Sequence, residues 1–390
     1  MTQRRTIIAV ACLGMLSFGI VLTTLGAMLP TVIHRFGLDK AQAGALFLLL
    51  SFGIMAGSLV FGPIADRRGY KSMLLLSLAA IAIAILIIAF ALSLAWLRIA
   101  IALIGFGGGV VNGGSNALVA DVSSESRGAA LSLVGAFFGV GAAGVPFALS
   151  VLGGTFGQSG ILAVISAIVM VPFVIAVLTT FPPPKQPHGF PIAHARGLLK
   201  DSVLLLMGLM LFLESGIEIT VGGWTSTLFA EDLGVPAERA LVYLSLYWLG
   251  MTTVRLGLGQ GMKKASGTQV LLVGITIALL GALLVVTTHS VSAAATGVFL
   301  LGCGFAPTFP VVLGFVGDRY VQLSGTAFSL VIVMALVGGM LLPYATGVLG
   351  GWYGLRGSFL IVPAALVLLA VLVIIVSRRL GMVPRAAPAV

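Results

Sequence analysis

The sequence predicts an all-α integral membrane protein with twelve transmembrane helices arranged as two six-helix bundles. Three observations support this fold class: an extreme apolar composition, a series of long hydrophobic runs, and an internal repeat. Of the 390 residues, 59% are hydrophobic and 8% are charged, whereas about 25% are charged in ordinary soluble domains. So few charges cannot cover a soluble globule, and the composition also excludes disordered, nucleic-acid-binding and disulfide-stapled secreted proteins.

Twelve hydrophobic runs are long enough to cross about 30 Å of hydrocarbon, which takes roughly 20 residues as a helix. Helices are required because each backbone polar group must find its partner within the segment. The predicted spans are 6–33, 41–65, 72–94, 96–121, 127–150, 159–181, 201–229, 238–261, 268–288, 291–317, 322–350 and 356–377. Pro307 and Pro310 are expected to break the tenth span, where freed carbonyls are tolerated if they line a cavity.

Lysine and arginine are unevenly distributed between the two sides of the predicted membrane. Fifteen lie on the side that carries both termini and the 182–200 loop, and five lie on the other. The positive-inside rule therefore predicts a multi-pass protein of the inner (plasma) membrane with both termini in the cytoplasm. The net charge of +10 then reflects topology and contact with the lipid bilayer, and no nucleic-acid partner is expected.

The chain aligns with itself at an offset of 197 residues, with 13 glycine pairs superimposed against about three expected by chance. The repeat predicts an amino-terminal bundle over 1–181, a cytoplasmic linker over 182–200 and a carboxy-terminal bundle over 201–390. Two halves in the same orientation imply a pseudo-two-fold axis along the membrane normal and a rocking, alternating-access motion. Most of the paired glycines are interpreted as sites of close helix packing. The protein is expected to be a monomer.

A charged loop between the second and third spans carries a family resemblance. It reads GPIADRRGYK over 62–71, and the matching residues are Gly62, Asp66, Arg67, Arg68, Gly69 and Lys71. This pattern resembles the corresponding loop of the major facilitator superfamily and implies the major facilitator fold for the whole chain. Asp66, Arg67 and Arg68, together with Asp121 and Arg127, are candidates for a cytoplasmic gating latch that favours the outward-open state. A fold-stabilising turn at Asp66 is the alternative.

Four further stretches resemble the fucose–proton symporter branch of that superfamily and its animal sodium–glucose relatives. They are GFGGGVVNGGSNALVAD (105–121), FLESGIEITVGGW (212–224), YWLGMTTVRLG (247–257) and GCGFAPTFP (302–310). This resemblance implies uptake of a monosaccharide coupled to an ion. The fucose symporters carry acidic residues within the first and fourth spans, and the interiors of those spans have none here. A coupling acid must therefore lie elsewhere.

Three charged residues remain inside the predicted spans of the second half, where their cost makes them functional candidates. Glu214 and Glu218 lie one helical turn apart on one face of span seven, and Arg255 lies at a similar depth in span eight. One glutamate is expected to pair with Arg255 and the other to face a cavity. Burial favours the protonated form of an unpaired carboxyl group, which suits a proton carrier. Sodium as the coupling ion and a static ion pair between spans seven and eight are the alternatives.

Amide and aromatic side chains supply candidates for solute binding. Asn112 and Asn116 share a face of span four, and amides both donate to and accept from sugar hydroxyls; a hydrogen bond between helices is the alternative. Trp224 and Tyr247 lie in the outer halves of spans seven and eight, where a ring can stack on a pyranose or anchor a helix at the interface. Phe309 lies at the predicted break in span ten.

These observations predict ion-coupled uptake of a small polar solute, a monosaccharide, by alternating access, with a proton or sodium as the coupling ion. The alternatives are a proton-coupled efflux antiporter for drugs and a membrane sensor that binds solute without moving it. Four scattered histidines and two cysteines within spans form neither a metal cluster nor a nucleophile–base set. The sequence therefore predicts no enzyme activity, no bound metal and no cofactor.

Overall fold

The computed structural model describes residues 2–122, 127–181, 197–198, 200–261, 265–320 and 324–381. Regular structure in these residues is entirely helical. The helices are α1 (Thr2–Phe36), α2 (Lys40–Arg68), α3 (Tyr70–Phe90), α4 (Leu94–Val122), α5 (Arg127–Leu178), α6 (Ser202–Glu231), α7 (Ala237–Gly261), α8 (Gly267–Thr287), α9 (Val291–Phe305), α10 (Thr308–Arg319), α11 (Ser324–Ser358) and α12 (Ile361–Arg379). Among the described residues, eleven segments are long and apolar enough to cross a membrane.

One of these segments, within α5, is too long for a single crossing. Leu133–Leu178 contains 46 residues, which would extend about 69 Å at ~1.5 Å per residue. It reverses at Gly157, whose φ of 68° is a left-handed value that glycine adopts without strain. Hydrogen bonds along α3 show the return direction, from Ser159 to Ala89, from Ser166 to Ala82 and from Lys71 to Val177. The reversal coincides with the boundary between the spans predicted at 127–150 and 159–181.

The expected break in the tenth span separates α9 from α10. Helix α9 ends at Phe305, Ala306 and Pro307 form a turn, and α10 begins at Thr308. Proline has no backbone N–H group, so neither Pro307 nor Pro310 can continue the ladder of helix hydrogen bonds. The break therefore follows from the sequence, and it places Phe309 in the first turn of α10.

The internal sequence repeat corresponds to equivalent close helix crossings in the two halves of the chain. Gly141 packs against the Leu16 carbonyl at the crossing of α5 and α1, and its repeat mate Gly338 packs against the Phe212 carbonyl at the crossing of α11 and α6. A Cβ atom at either glycine would overlap the facing oxygen. Small residues let helix backbones approach each other in this way within a membrane. The packing interpretation is therefore confirmed for the pair Gly141 and Gly338.

A second pair of repeat mates, Gly157 and Gly354, shares an unusual backbone conformation. Gly157 in α5 has φ 68° and ψ 156°, and Gly354 in α11 has φ 74° and ψ 162°. Their backbone conformations are almost the same, although 197 residues separate them in the sequence. Equivalent positions in the two halves of the chain therefore change direction in the same manner.

Helices from the two halves of the chain meet on the side where α1 ends and α2 begins, which is the predicted outer side. The backbone of Gly26 in α1 packs directly on Gly222 and Gly223 in α6. The buried hydroxyl of Ser226 donates to the Gly26 carbonyl at 2.9 Å. We call the contact between Gly26 and the stretch from Gly222 to Ser226 the glycine seal.

Two more contacts join α2 to the second half, one near the middle of the helix and one at its outer end. The buried hydroxyl of Ser51 donates to the Gly339 carbonyl of α11 at 3.0 Å. Lys40 Nζ lies 2.8 Å from Glu231 Oε2, and both of these side chains are partly exposed. The predicted outer side is therefore closed in this structure by contacts between α1, α2, α6 and α11.

Asp201 anchors the opposite end of α6. Its Oδ1 atom accepts from the backbone N–H groups of Val203 and Leu204 at 2.8 and 3.4 Å, and its Oδ2 atom accepts from the Tyr320 hydroxyl at 2.7 Å. Partial burial acts to raise the pKa of Asp201, but these hydrogen bonds and the Arg319 charge outweigh it, and the pKa is lowered overall. The carboxylate therefore holds the start of α6 against the end of α10.

Candidate coupling and solute site

Glu218 and Arg255 form an ion pair in the interior of the helix assembly. Glu218 Oε2 lies 3.9 Å from Arg255 Nη2, and the two side chains are 14% and 23% exposed. Glu218 lies near the middle of α6, more than a dozen residues from each helix end. The ion pair is therefore partly accessible at a depth where lipid-facing residues would have to be apolar.

Arg255 makes two further contacts besides its ion pair. Its Nε atom donates to the Ala306 carbonyl at the α9–α10 break at 3.4 Å. Its guanidinium carbon lies 5.8 Å from the centre of the Phe138 ring in α5, within range of a cation–π interaction. Arg255 in α7 therefore contacts α6, the helix break and a helix of the first half at once.

Glu214 is the enclosed member of the glutamate pair. It is 1% exposed, and its Oε2 atom accepts from the Ser215 hydroxyl at 3.1 Å. Its Oε1 atom has no hydrogen-bond partner among the described residues, while the Glu218 carboxyl group lies within hydrogen-bonding reach. The expectation that the glutamate without the arginine would face a cavity is wrong, since the more exposed glutamate is the one paired with Arg255.

Four aromatic rings link the ion pair to the first half of the chain. Tyr247 and Trp248 of α7 have ring centres 5.0 Å apart, Trp248 and Phe138 are 5.8 Å apart, and Phe138 and Phe18 of α1 are 5.6 Å apart. We call Tyr247, Trp248, Phe138 and Phe18 the aromatic bridge. The Tyr247 hydroxyl and the Trp248 indole N–H are buried and have no hydrogen-bond partner within the described part of the chain.

The two asparagines of α4 lie at the far end of this bridge. Asn116 Nδ2 donates to Asn112 Oδ1 at 3.0 Å, to the Asn112 carbonyl at 2.9 Å and to the Met15 sulfur at 3.8 Å. Met15 and Phe18 are one turn apart on α1, so the amides and the aromatic bridge meet at the same stretch of α1. Both asparagines are partly exposed, and the structure brings them to one face as the sequence predicts.

Of two further predicted solute contacts, the structure buries Trp224 and leaves Phe309 partly exposed. Trp224 is fully buried in the glycine seal, where its Nε1 atom donates to the Pro343 carbonyl at 3.0 Å and its ring lies 6.0 Å from Phe47. Its polar group is therefore already used by α11, away from the ion pair. Phe309 is partly exposed in the first turn of α10, three residues from the carbonyl that binds Arg255.

The predicted gating latch falls on helix ends whose side chains lie outside the described residues. Asp66, Arg67 and Arg68 end α2, Asp121 lies in the last turn of α4, and Arg127 begins α5. Residues 182–196 of the predicted linker also lie outside the description. The latch therefore stays a prediction.

Sequence reasoning missed Phe18 and Phe138 as parts of the site, and Ser51 and Ser226 as contacts between helices. Aromatic residues are common in apolar spans, so nothing in the sequence distinguishes these two phenylalanines. The serines have a partial signal, because Pro30 and Pro343 leave the Gly26 and Gly339 carbonyls without a helix donor. Among the described residues, no cluster of three or more histidine, cysteine, aspartate or glutamate side chains could hold a metal ion.

Comparisons with known proteins agree with this architecture. Residues 11–331 match the family model described as Major Facilitator Superfamily. The Uncharacterized transporter y4wD of Sinorhizobium fredii is 26% identical over 373 residues, which cover 92% of this chain and 95% of that protein. The Sodium-dependent glucose transporter 1A of Mus musculus is 20% identical over 375 residues, covering 87% and 88%. A crystal structure of the nucleoside transporter NupG has the same fold, with a TM-score of 0.77 at 16% identity over 96% of this chain and 99% of that one.

Proposed function

The chain belongs to the major facilitator superfamily and is a secondary transporter rather than an enzyme, and from this premise we propose that it takes up a monosaccharide together with a proton. In this proposal twelve crossings form two six-helix bundles, 1–181 and 201–390, joined by a cytoplasmic linker over 182–200. The protein acts as a monomer in the inner membrane with both termini in the cytoplasm. The repeated glycine crossings and the reversal at Gly157 support this arrangement.

The observation that carries the proposal is the ion pair with a second carboxyl group beside it. Glu214, Glu218 and Arg255 sum to a charge of −1, so one bound proton makes the group neutral. Two adjacent carboxylates repel each other, and a proton shared between them removes that repulsion. A proton needs no further ligands there, whereas a sodium ion would also meet the positive charge of Arg255. These properties favour the proton as the coupling ion.

Solute binding is proposed between the asparagine pair and the ion pair. Asn112 and Asn116 offer amide groups to sugar hydroxyls, and the aromatic bridge offers a ring face for the apolar side of a pyranose. Phe309 of α10 and Tyr247 of α7 are proposed as further aromatic contacts for the solute. The similarity to a sodium-dependent glucose transporter supports a hexose as the solute.

Alternating access then requires the closed glycine seal to open. In the proposed cycle, opening of the seal is accompanied by closure of the opposite side, where Asp66, Arg67, Arg68, Asp121 and Arg127 form the cytoplasmic latch. Proton binding acts on this equilibrium only to the extent that its affinity differs between the two states.

Uptake in proteoliposomes tests the proposal. D-Glucose accumulation is expected under an inward proton gradient and is expected to be unaffected by a sodium gradient. Glu218→Gln should abolish accumulation and leave glucose counterflow, because counterflow requires the conformational change but no net proton movement. Glu238→Gln, a matched change of an exposed residue at the start of α7, should leave both activities unchanged. Unaltered gradient-driven uptake by Glu218→Gln would contradict the proposed role of this residue.

The aromatic bridge also supports a second candidate function, proton-coupled efflux of an apolar drug. The rings of Phe18, Phe138 and Trp248 form a continuous apolar contact between α1, α5 and α7. In the same vesicles, loading with ethidium and imposing an opposite proton gradient measures drug–proton exchange. Ethidium exchange without glucose uptake would replace the symport proposal by efflux.

A further inference from the structure

The carbonyl group of Ala306 lacks the hydrogen bond that a helix normally provides. In an α-helix this carbonyl would accept from the backbone N–H of the residue four positions later, and that residue is Pro310, which has no N–H group. Arg255 Nε donates to the Ala306 oxygen at 3.4 Å instead. A side chain from α7 thus supplies the donor that is missing at the break between α9 and α10.

The same guanidinium group serves two acceptors through different atoms. Nε binds the Ala306 carbonyl and Nη2 faces the Glu218 carboxylate at 3.9 Å. A guanidinium is planar and its donors have fixed relative directions, so movement toward one acceptor changes the bond to the other. Phe138 of α5 covers the group from the first half of the chain. The charge on Glu218 therefore influences how Arg255 binds the Ala306 carbonyl at the helix break.

We infer that Arg255 is a positioning residue that transmits the charge state of Glu218 to the break between α9 and α10, and through it to Phe309. The role of Phe309 in solute binding rests on the proposed function. With Glu218 ionised, the ion pair holds the guanidinium against the Ala306 carbonyl. With Glu218 neutral that attraction is lost, the carbonyl loses its donor, and the contact between α7 and α9 loosens. Among the described residues, the other ionisable groups that interact with Arg255 are Glu214 of α6 and Tyr247 of α7.

A native cysteine reports on this contact without any solute. Cys303 lies three residues before Ala306, is partly exposed, and its sulfur faces Gly250 of α7. In a Cys12→Ala background, N-ethylmaleimide reacts with Cys303 alone. Glu218→Gln, which mimics the neutral acid, is expected to speed this alkylation by about tenfold or more at a single pH, since tenfold corresponds to the lower end of the contribution of one charge-assisted hydrogen bond.

The proline substitution separates a transmitting role from a merely structural one. Pro310→Ala restores an N–H group to the Ala306 carbonyl, so Glu218→Gln should then leave the alkylation rate unchanged. Pro307→Ala is the matched control, because it alters the same break and leaves the Ala306 carbonyl without a helix donor; there the tenfold effect should persist. Arg255→Lys provides a second route if Pro310→Ala does not fold, since a single ammonium group cannot serve both acceptors in this geometry and the effect of Glu218→Gln should disappear.

Each possible outcome either supports or contradicts this inference. Equal effects of Glu218→Gln in the parent, Pro310→Ala and Arg255→Lys proteins, or no effect in the parent, would overturn it. Loss of the effect in Pro310→Ala and its retention in Pro307→Ala would establish it. Because the assay contains no sugar and no proton gradient, failure of glucose uptake would refute the proposed function and leave this result standing.

Discussion

Ser226→Ala tests how the glycine seal is held closed. The Gly26 carbonyl has no helix donor, because the residue four positions later is Pro30, and the Ser226 hydroxyl binds it at 2.9 Å in a fully buried position. Removing the hydroxyl leaves a buried carbonyl unsatisfied in the closed state, which costs about 1–3 kcal/mol. In the open state water binds the carbonyl, so the substitution has little effect there.

The expected consequence is a shift of the equilibrium toward the open seal by about 5-fold to 150-fold, since ~1.4 kcal/mol corresponds to a factor of ten. The assay is the rate at which a membrane-impermeant maleimide labels Thr227→Cys, a position that is 1% exposed beside the seal. The background carries Cys12→Ala and Cys303→Ala. The labelling rate should rise by the same factor as the open population.

Two variants make the reasoning refutable. Ser245→Ala removes another buried hydroxyl, which binds the Leu241 carbonyl within its own helix at 3.1 Å; that carbonyl keeps its helix donor, so labelling should not change. Adding Pro30→Ala to Ser226→Ala returns an N–H group to the Gly26 carbonyl and should restore slow labelling. If Ser226→Ala labels at the parental rate, or if Pro30→Ala fails to reverse its effect, the freed-carbonyl explanation is wrong.

Two further predictions concern stability and follow from contacts described above. Gly338→Ala places a Cβ atom against the Phe212 carbonyl and should lower the unfolding temperature in detergent by several degrees, whereas Gly351→Ala meets nothing within 4 Å and should not; equal melting temperatures would contradict the close-crossing interpretation. Asp201 has a lowered pKa, so its stabilising effect is present above the unfolded-state value near 4 and is lost as the pH falls through the folded-state value. Asp201→Asn should therefore melt earlier than the parent at pH 7, and this difference should shrink steadily as the pH is lowered below about 4. The exposed Asp232→Asn is the control that should match the parent throughout.

Several parts of the site could be predicted from the sequence because each leaves a local signal. Glu214, Glu218 and Arg255 stand out since charge in an apolar span is costly, and Pro307 marks the broken span since proline cannot continue a helix. The spacing of Asn112 and Asn116 places them on one face whatever surrounds the helix. These predictions needed only the helix period and the chemistry of single residues.

Other parts depend on which helix faces which, and no local signal carries that information. The aromatic ring of Trp224 is suited to stack on a solute. In the structure, however, α11 packs so close that the Pro343 carbonyl accepts a hydrogen bond from the indole N–H group. The aromatic bridge combines rings from α1, α5 and α7, and its ends, Phe18 and Trp248, are more than 200 residues apart in the sequence. Likewise, Pro310 reveals a freed carbonyl, but only the packing of α7 against α9 shows that Arg255 binds it.

The reversal at Gly157 uses a single residue where other proteins use a loop, and the remaining connections on that side are also short. Three connections consist of only three residues each: 37–39 between α1 and α2, 91–93 between α3 and α4, and 288–290 between α8 and α9. An antibody or protease approaching that face would meet helix ends and almost no flexible polypeptide. Epitope tags and fusion partners for capturing the protein from that side would therefore have to be inserted at 232–236, the longest of these connections between described helices.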